Sequence, residues 1–369
     1  MSDSKDRGPV VLAAGGTGGH LFPAQALAEV LIARGYRTVL ATDHRRSYRP
    51  GDFPAEATHI IPSATVGGRS PVSLAKTGLT LGNGVRKAHA LFGQLKPSAV
   101  VGFGGYPSFP PLMAAAMRGV PCALHEQNAV LGRANRLLAK RVTAVATSFP
   151  QVKFAHDLPV ERVTMTGNPV RARVLQAATI AYAPVGPDGR RQVLVFGGSQ
   201  GARFFSDALP PALQALPDAW RAEMRIVQQC RPEDLARVQR AYADLRIDAH
   251  CAPFFEDLPR LIAESQLIIA RSGASTVAEL TVLGRPAILV PLPHALDNDQ
   301  LRNAETLVEQ GAALAFAQAD ITPEVLAQTL AEMLNAPEKM AVAAENARAL
   351  GRPDAAERLA DLVERLIAG

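Results

Sequence analysis

Two glycine runs, half the chain apart, carry the first chemical signal in this sequence. Gly15-Gly16-Thr17-Gly18-Gly19-His20 follows the apolar run Pro9–Ala14, and Gly197-Gly198-Ser199-Gln200-Gly201 follows Gln192–Phe196. Both read Gly-Gly-Thr/Ser-x-Gly, the second starting 182 positions after the first. Each lies between a strand-like and a helical stretch. Backbone N–H groups therefore gather at a positive helix end, which suits phosphate or another electron-rich oxygen. His20 closes the first loop. An imidazole with an ordinary pKa of about 6.5 is mostly neutral at pH 7 and can act as general base. A satisfied capping or core histidine is the other reading of the same spacing.

A third turn, Arg271-Ser272-Gly273-Ala274-Ser275-Thr276, follows Leu267–Ala270 and opens a helix, with Ser272 or Ser275 as its cap. Small residues here let a diphosphate approach the backbone at a dipole worth about half a charge. Glu279 stands one turn into that helix, where it can accept both hydroxyls of a ribose or simply be an acid favoured in a first turn. His125-Glu126-Gln127-Asn128 ends the strand-like Pro121–Leu124 with four polar side chains, suited to sugar hydroxyls or to a plain polar loop. Asp297-Asn298-Asp299-Gln300 resembles a D-x-D metal signature, but no further carboxylate or histidine lies at ligand spacing, so no metal is assigned. A dinucleotide fingerprint fits poorly: Asp43 could supply its acid, but Leu21 stands where its third glycine belongs. No Gly-Lys-Ser/Thr of a Walker loop is present.

These groups need strands and helices to hold them. In the first half, strand-like Val10–Ala14, Arg37–Ala41, His59–Ile61, Ala99–Phe103, Pro121–Glu126 and Ala144–Thr147 alternate with helical Phe22–Arg34, Ser108–Arg118 and Arg133–Ala139. The second half repeats this, with strands at Gln192–Phe196, Arg225–Gln229, Leu267–Ala270, Ala287–Val290 and Ala313–Phe316. Such alternation predicts two doubly wound parallel-sheet α/β domains, with ligands at the carboxyl ends of the strands in a shared cleft. Gly15–Gly19 and Gly102–Gly105 both fall at that edge. The expected division is a first domain at 1–166, a linker at 167–190 built on Gly167-Asn168-Pro169 and the turn-rich 183–189, and a second domain at 191–369 including terminal helices, which cap it or return toward the first. Pro71–Lys96 stands apart. Gly78, Gly82 and Gly84 interrupt its apolar residues at about 1 kcal/mol each relative to alanine, a poor core helix. It reads either as a loop-plus-helix that dips into a bilayer interface or as ordinary core packing.

The chain of 369 residues is long enough for two domains, and 48% hydrophobic with 20% charged residues is a globular composition. Three scattered cysteines, Cys122, Cys230 and Cys251, argue against a disulfide framework and for a reducing compartment. No run reaches the roughly 18 apolar residues of a membrane span, and Met1–Arg7 lacks a signal-peptide core. The net charge of +5 conceals an asymmetry: residues 1–165 hold 19 Lys and Arg against 9 Asp and Glu. Ala57 to His125 contains no acid at all, but includes Arg69, Lys76, Arg86, Lys87, Lys96 and Arg118. A one-signed half implies an anionic membrane leaflet or a large anionic substrate, or else only a soluble basic surface. Nucleic acid is disfavoured, since no recognised module is present and aromatics are only 5%.

Taken in order, the glycine loop ending in His20, Gly102-Phe103-Gly104-Gly105-Tyr106, His125–Asn128, Gly167-Asn168-Pro169-Val170-Arg171, Gly197–Gly201 and Arg271–Thr276 resemble the MurG family, bacterial N-acetylglucosaminyltransferases of peptidoglycan synthesis. The resemblance covers nearly the whole chain. It implies a GT-B fold of two Rossmann-like domains, the second holding UDP-GlcNAc as donor and the first receiving undecaprenyl-linked lipid I. It implies inverting transfer of GlcNAc to the muramoyl 4-hydroxyl, giving lipid II, with no catalytic metal or cofactor. By position, Ser199 and Ala274-Ser275-Thr276 would hold the diphosphate or uridine, Glu279 the ribose, and Asn128 and Gln300 the sugar. Arg171 would offset charge on the leaving diphosphate. Thr17, Gly18 and Gly19 would close over the donor, with His20 as base. Gly104, Gly105, Tyr106, His125 and Glu126 would form the acceptor loops.

Two positions depart from the family's pattern: Asp299 stands where a histidine is common, and Phe255 where an isoleucine usually walls the uracil. The resemblance further implies a peripheral protein on the cytoplasmic face of the inner membrane, acting in cell-wall biogenesis and so in cell shape and division, with room for other cell-wall synthesis proteins as partners. The alternatives are another GT-B enzyme such as a UDP-GlcNAc 2-epimerase, an NAD-dependent oxidoreductase, and a catalytically silent lipid-carrier binding protein.

Overall fold

Short runs rich in small and branched apolar residues, too brief for helices and buried in the central strands of each sheet, make the strands. The computed structural model describes residues 8–15, 18–44, 53–65, 70–186, 188–198 and 201–369. Thr17, Ser199 and Arg69, which the sequence singles out, lie outside these. From the N-terminal side the elements are β1 (Val10–Ala13), α1 (Gly18–Ala33), β2 (Thr38–Thr42), β3 (Ala57–Ile60), α2 (Pro71–Leu95) and β4 (Ala99–Gly102). Then come α3 (Gly105–Met117), β5 (Cys122–Glu126), α4 (Arg133–Leu138), β6 (Ala144–Thr147) and β7 (Val163–Met165). These strands form one sheet in the order β3-β2-β1-β4-β5-β6-β7, and every pairing is parallel.

Successive residues of β1 point to opposite faces, and both faces are covered. Val10 and Leu12 pack with Leu27 and Leu31 of α1, while Val11 and Ala13 pack with Phe92 of α2, Leu112 of α3 and Leu138 of α4. The helices after β1 and β4 therefore leave to opposite sides. Neighbouring strands with this property define the crevice at which such sheets bind ligands.

The second sheet repeats the plan. Its elements are α5 (Ala172–Ala177), β8 (Arg191–Phe196), α6 (Arg203–Gln214), α7 (Asp218–Ala222), β9 (Met224–Gln229), α8 (Pro232–Asp244), β10 (Asp248–Ala252) and α9 (Leu258–Glu264). They continue with β11 (Leu267–Ala270), α10 (Ala274–Leu283), β12 (Ala287–Leu289), α11 (Asp299–Glu309), β13 (Ala313–Ala315), α12 (Pro323–Leu334) and α13 (Pro337–Leu350). The strand order, β10-β9-β8-β11-β12-β13, has the same reversal beside its first strand.

The chain divides into two compact units, Met1–Arg171 with Arg352–Gly369, and Ala172–Gly351. The last helix, α14 (Ala355–Ala368), falls in the first unit. Its Leu359, Ala360, Leu362 and Val363 complete the core around Leu27 and Leu31, and its Asp361 and Glu364 pair with Arg34 at 2.7 and 2.8 Å.

Two further elements depart from expectation. α1 starts at Gly18, four positions before Phe22, so Gly18, Gly19 and His20 are its first turn and not a loop. The Pro71–Lys96 stretch is one continuous helix, capped by Ser70, whose Oγ accepts from Ser73 N–H, and ended by Lys96 in the left-handed region at φ 47°. Its four glycines, Gly78, Gly82, Gly84 and Gly93, do not break it because Thr77, Gly84, Ala88 and Phe92 line up as one buried stripe.

Candidate active site

In the first unit, the site gathers at the carboxyl ends of β1, β4 and β5. The first-turn N–H groups of a helix have no partner within it, and in α1 that turn is Gly18-Gly19-His20. Gly104 (φ 82°) and Gly105 (φ 67°) turn the chain into α3 in a conformation that L-residues rarely adopt. A Cβ on Gly104 would stand 3.1 Å from Asn135 Nδ2, and one on Gly105 would stand 3.3 Å from His20 Nε2. Glycine therefore lets this turn lie against His20. Tyr106 follows in the first turn of α3, half-buried.

His20 Nδ1 lies 3.1 Å from Gln127 Oε1, and Gln127 Nε2 lies 2.9 Å from His125 Nδ1 and 3.0 Å from the His125 carbonyl. His125 Nε2 in turn meets the Gly167 carbonyl at 2.9 Å. His125 is fully buried, and that burial pulls its pKa down to about 4. Glu126, equally sealed, accepts from the N–H groups of Asn128 (3.0 Å) and Gly132 (2.8 Å) and from the side chains of Asn128 (3.3 Å) and Asn135 (2.7 Å). Burial pushes its carboxyl pKa up against the pull of those bonds.

The His125–Asn128 cluster therefore faces inward. His125 and Glu126, expected at the acceptor, are spent on holding the loops around them, and the Asn128 amide is bonded to Glu126. Gln127 and Asn135 are the members that the sequence reading gave no role of their own. The Arg171 guanidinium stacks 4.0 Å over the Phe22 ring, which fixes it beside the start of α1.

In the second unit the corresponding edge is built from β8, β9 and β11. Gly198 and Gly201 adopt φ 84° and 64°, and a Cβ on Gly197 would come within 2.3 Å of Ala202 N, so the turn after β8 tolerates no side chain there. Gly197 N–H donates to Gln229 Oε1 at 3.1 Å, and Gln229 Nε2 donates to the Pro253 carbonyl at 3.3 Å. One buried amide thus ties the glycine turn to the segment leading into Phe254 and Phe255, with Phe255 edge-on to His250.

At the start of α10 the cap is Gly273, with no side-chain cap bond, and neither Ser272 nor Ser275 fills that place. Ser272 instead donates to the Gln300 carbonyl at 2.7 Å. Asn303 bonds the Ser272 carbonyl, and Gln300 Oε1 accepts from Leu292 N–H. Arg271 forks into the Val290 and Pro291 carbonyls and Gln318. This scaffold leaves the front of α10 open: a Cβ on Gly273 would meet nothing within 4 Å, and the buried Ser275 Oγ has no hydrogen-bond partner. Ala274, Ser275 and Thr276 form the half-buried first turn, and Glu279 lies beyond it, 6% exposed. Its position past the first turn removes the simple dipole explanation for an acid there. Burial raises the Asp299 carboxyl pKa, and among the described residues no group of three or more His, Cys, Asp or Glu could hold a metal ion.

Comparison with known proteins agrees with this architecture. The glycosyltransferase family 28 N-terminal domain matches residues 10–147, and the family 28 C-terminal domain matches residues 192–363. A UDP-N-acetylglucosamine–N-acetylmuramyl-(pentapeptide) pyrophosphoryl-undecaprenol N-acetylglucosamine transferase of Rhodopseudomonas palustris is 55% identical over 97% of this chain and 98% of its own. The protein of that name from Brucella suis is 51% identical over 100% of this chain and 97% of its own. The crystal structure of Acinetobacter baumannii MurG superposes with a TM-score of 0.78 at 31% identity, covering 97% of this chain and 99% of that one. A putative UDP-N-acetylglucosamine 2-epimerase from Listeria monocytogenes, at TM-score 0.66 and 13% identity, shares the fold alone. With two α/β units of one strand order, both family 28 domains and full-length relatives above half identity, the chain belongs to the MurG family of GT-B N-acetylglucosaminyltransferases.

Proposed function

We propose that the protein transfers N-acetylglucosamine from UDP-GlcNAc to the muramoyl 4-hydroxyl of undecaprenyl-pyrophosphoryl-MurNAc-pentapeptide, converting lipid I to lipid II with inversion and without a catalytic metal. The carrying observation is the open front of α10, where a partnerless buried hydroxyl, Ser275, meets a helix N-terminus behind a bare glycine. A diphosphate fits that chemistry. Glu279 takes the ribose, Ser199 and Thr276 share the phosphates, and Gln300 and Asn128 orient the sugar. Thr17, Gly18 and Gly19 also serve the donor, and Gly104, Gly105 and Tyr106 serve the acceptor.

The acceptor oxygen attacks the anomeric carbon as the bond to UDP breaks, its electron pair leaving with the diphosphate. The hydroxyl proton passes to His20. Helix-end N–H groups and Arg171 meet the developing charge, the kind of electrostatic stabilisation that usually dominates such steps. The basic stretch from Ala57 to His125, which holds no Asp or Glu, brings the first unit to the anionic cytoplasmic leaflet, where the acceptor's polyprenyl tail is anchored.

The test supplies UDP-GlcNAc and a lipid I analogue with a chelator present. Release of UDP together with a β-linked disaccharide is expected. Conversion of the donor sugar with no lipid product would assign an epimerase instead, and a change at the nicotinamide absorbance band would assign an oxidoreductase.

A further inference from the structure

We propose that Gln127 and His125 are positioning residues that hold His20 in its Nδ1–H tautomer, so that the basic lone pair stands on Nε2, the ring atom beside the Gly104-Gly105 turn. The inference rests on the reading of His20 as base and adds to it which nitrogen works and what selects it.

The protons can be assigned from the buried end outward, because two backbone carbonyls there can only accept. His125 Nε2 lies 2.9 Å from the Gly167 carbonyl, so Nε2 carries the hydrogen. Fully buried, His125 is the neutral imidazole, and its Nδ1 is then an acceptor. The Gln127 atom 3.0 Å from the His125 carbonyl must be the amide nitrogen, and its second hydrogen meets His125 Nδ1 at 2.9 Å. A flipped amide would set its oxygen against a carbonyl and a lone pair together. Oε1 is therefore the atom 3.1 Å from His20 Nδ1, and an acceptor there requires a donor. Hydrogen-bond networks settle such tautomers in this way.

The chain also stays satisfied through the reaction. When His20 gains the acceptor's proton on Nε2, Nδ1–H still donates to Gln127, and no member needs to rotate. A neutral amide oxygen, unlike a carboxylate, adds no negative charge that would keep His20 protonated beforehand. Gln127 thus selects the tautomer without loading the base.

The experiment uses the full chain labelled with 15N-histidine. Two-bond proton–nitrogen correlation spectra, recorded well above the ordinary histidine pKa, distinguish the two tautomers, and the His20 signals are identified by their loss in His20→Gln. The Nδ1–H pattern is expected for His20; an Nε2–H pattern would overturn the proposal. In Gln127→Ala the His20 signals should shift towards the Nε2–H pattern. Its kcat should fall about tenfold or more while KM for UDP-GlcNAc stays within about threefold. An unchanged tautomer with unchanged kcat would also overturn it. Near-normal turnover in His20→Ala would remove the base reading while leaving the wild-type tautomer pattern intact, so the two failures are distinguishable.

Discussion

His125 shows what burial does to a single side chain. Its pKa near 4 lies below the ordinary 6.5, so unfolding takes up a proton between those values. Its contribution to stability is whole above about pH 6.5 and fades as pH falls towards 4. Glu126 has the opposite sign: its raised carboxyl pKa lets the folded state hold a proton more readily, so acid relieves it. Between pH 6.5 and 5 the histidine by itself should cost the first unit about 1.5 kcal/mol. Denaturant titrations across that range should show the loss in the wild type and a flatter profile in His125→Gln, whose amide can replace both ring bonds. Equal slopes would refute the assignment. The His-Glu-Gln-Asn string was visible in the sequence as a polar cluster after a strand. Its inward direction was not, because that depends on a carbonyl 42 residues further on, at Gly167.

Helix α2 is where reading residues one at a time misleads. Gly78, Gly82 and Gly84 look alike in sequence, yet a Cβ on either of the first two would meet nothing within 4 Å, while one on Gly84 would meet the Pro62 carbonyl and Pro110. Gly78→Ala and Gly82→Ala should each stabilise by roughly 0.5–1 kcal/mol, through the helix propensity that the notional penalty reflects. Gly84→Ala should destabilise by about 1–3 kcal/mol, because the close approach to α3 and to residue 62 has no slack. Melting curves of the three variants check this, and a uniform response of one sign would contradict it. The same comparison explains how the stretch stays a helix: of these three, Gly84 is a packing site, and Gly78 and Gly82 face outward.

At the scale of the whole molecule, charge and connectivity matter most. Val72, Leu74 and Leu79 are 78%, 48% and 77% exposed on α2, the helix that also presents Lys76, Arg86 and Lys87 at its surface. No helix among the described residues is long and apolar enough to cross a membrane. Apolar side chains among cations suit interfacial attachment. Reversal of Lys76, Arg86 and Lys87 to Glu should abolish co-flotation with anionic liposomes, with UDP-GlcNAc binding retained; flotation that survives reversal would sink the membrane-face reading. Connectivity brings α14 back to the first unit, where Arg352 and Ala355 close over Gly167, at φ 86° a site with no room for a Cβ. The carbonyl that anchors His125 is thereby buttressed by the end of the chain.

What the sequence determined by itself was the pair of parallel α/β units, the glycine turns at their strand ends and the motifs of the family. Strand alternation, turn chemistry and helix starts are set within a few residues, so they can be read locally. Tertiary structure alone decided that the His125–Asn128 cluster turns inward, that Gln127 touches His20 across 107 positions, that Ser272 serves Gln300 while Ser275 waits without a partner, and that the last helix joins the first unit. Each of those depends on which distant groups share a desolvated space. There an unmet donor or acceptor is costly, so the packing of the whole unit chooses the partners.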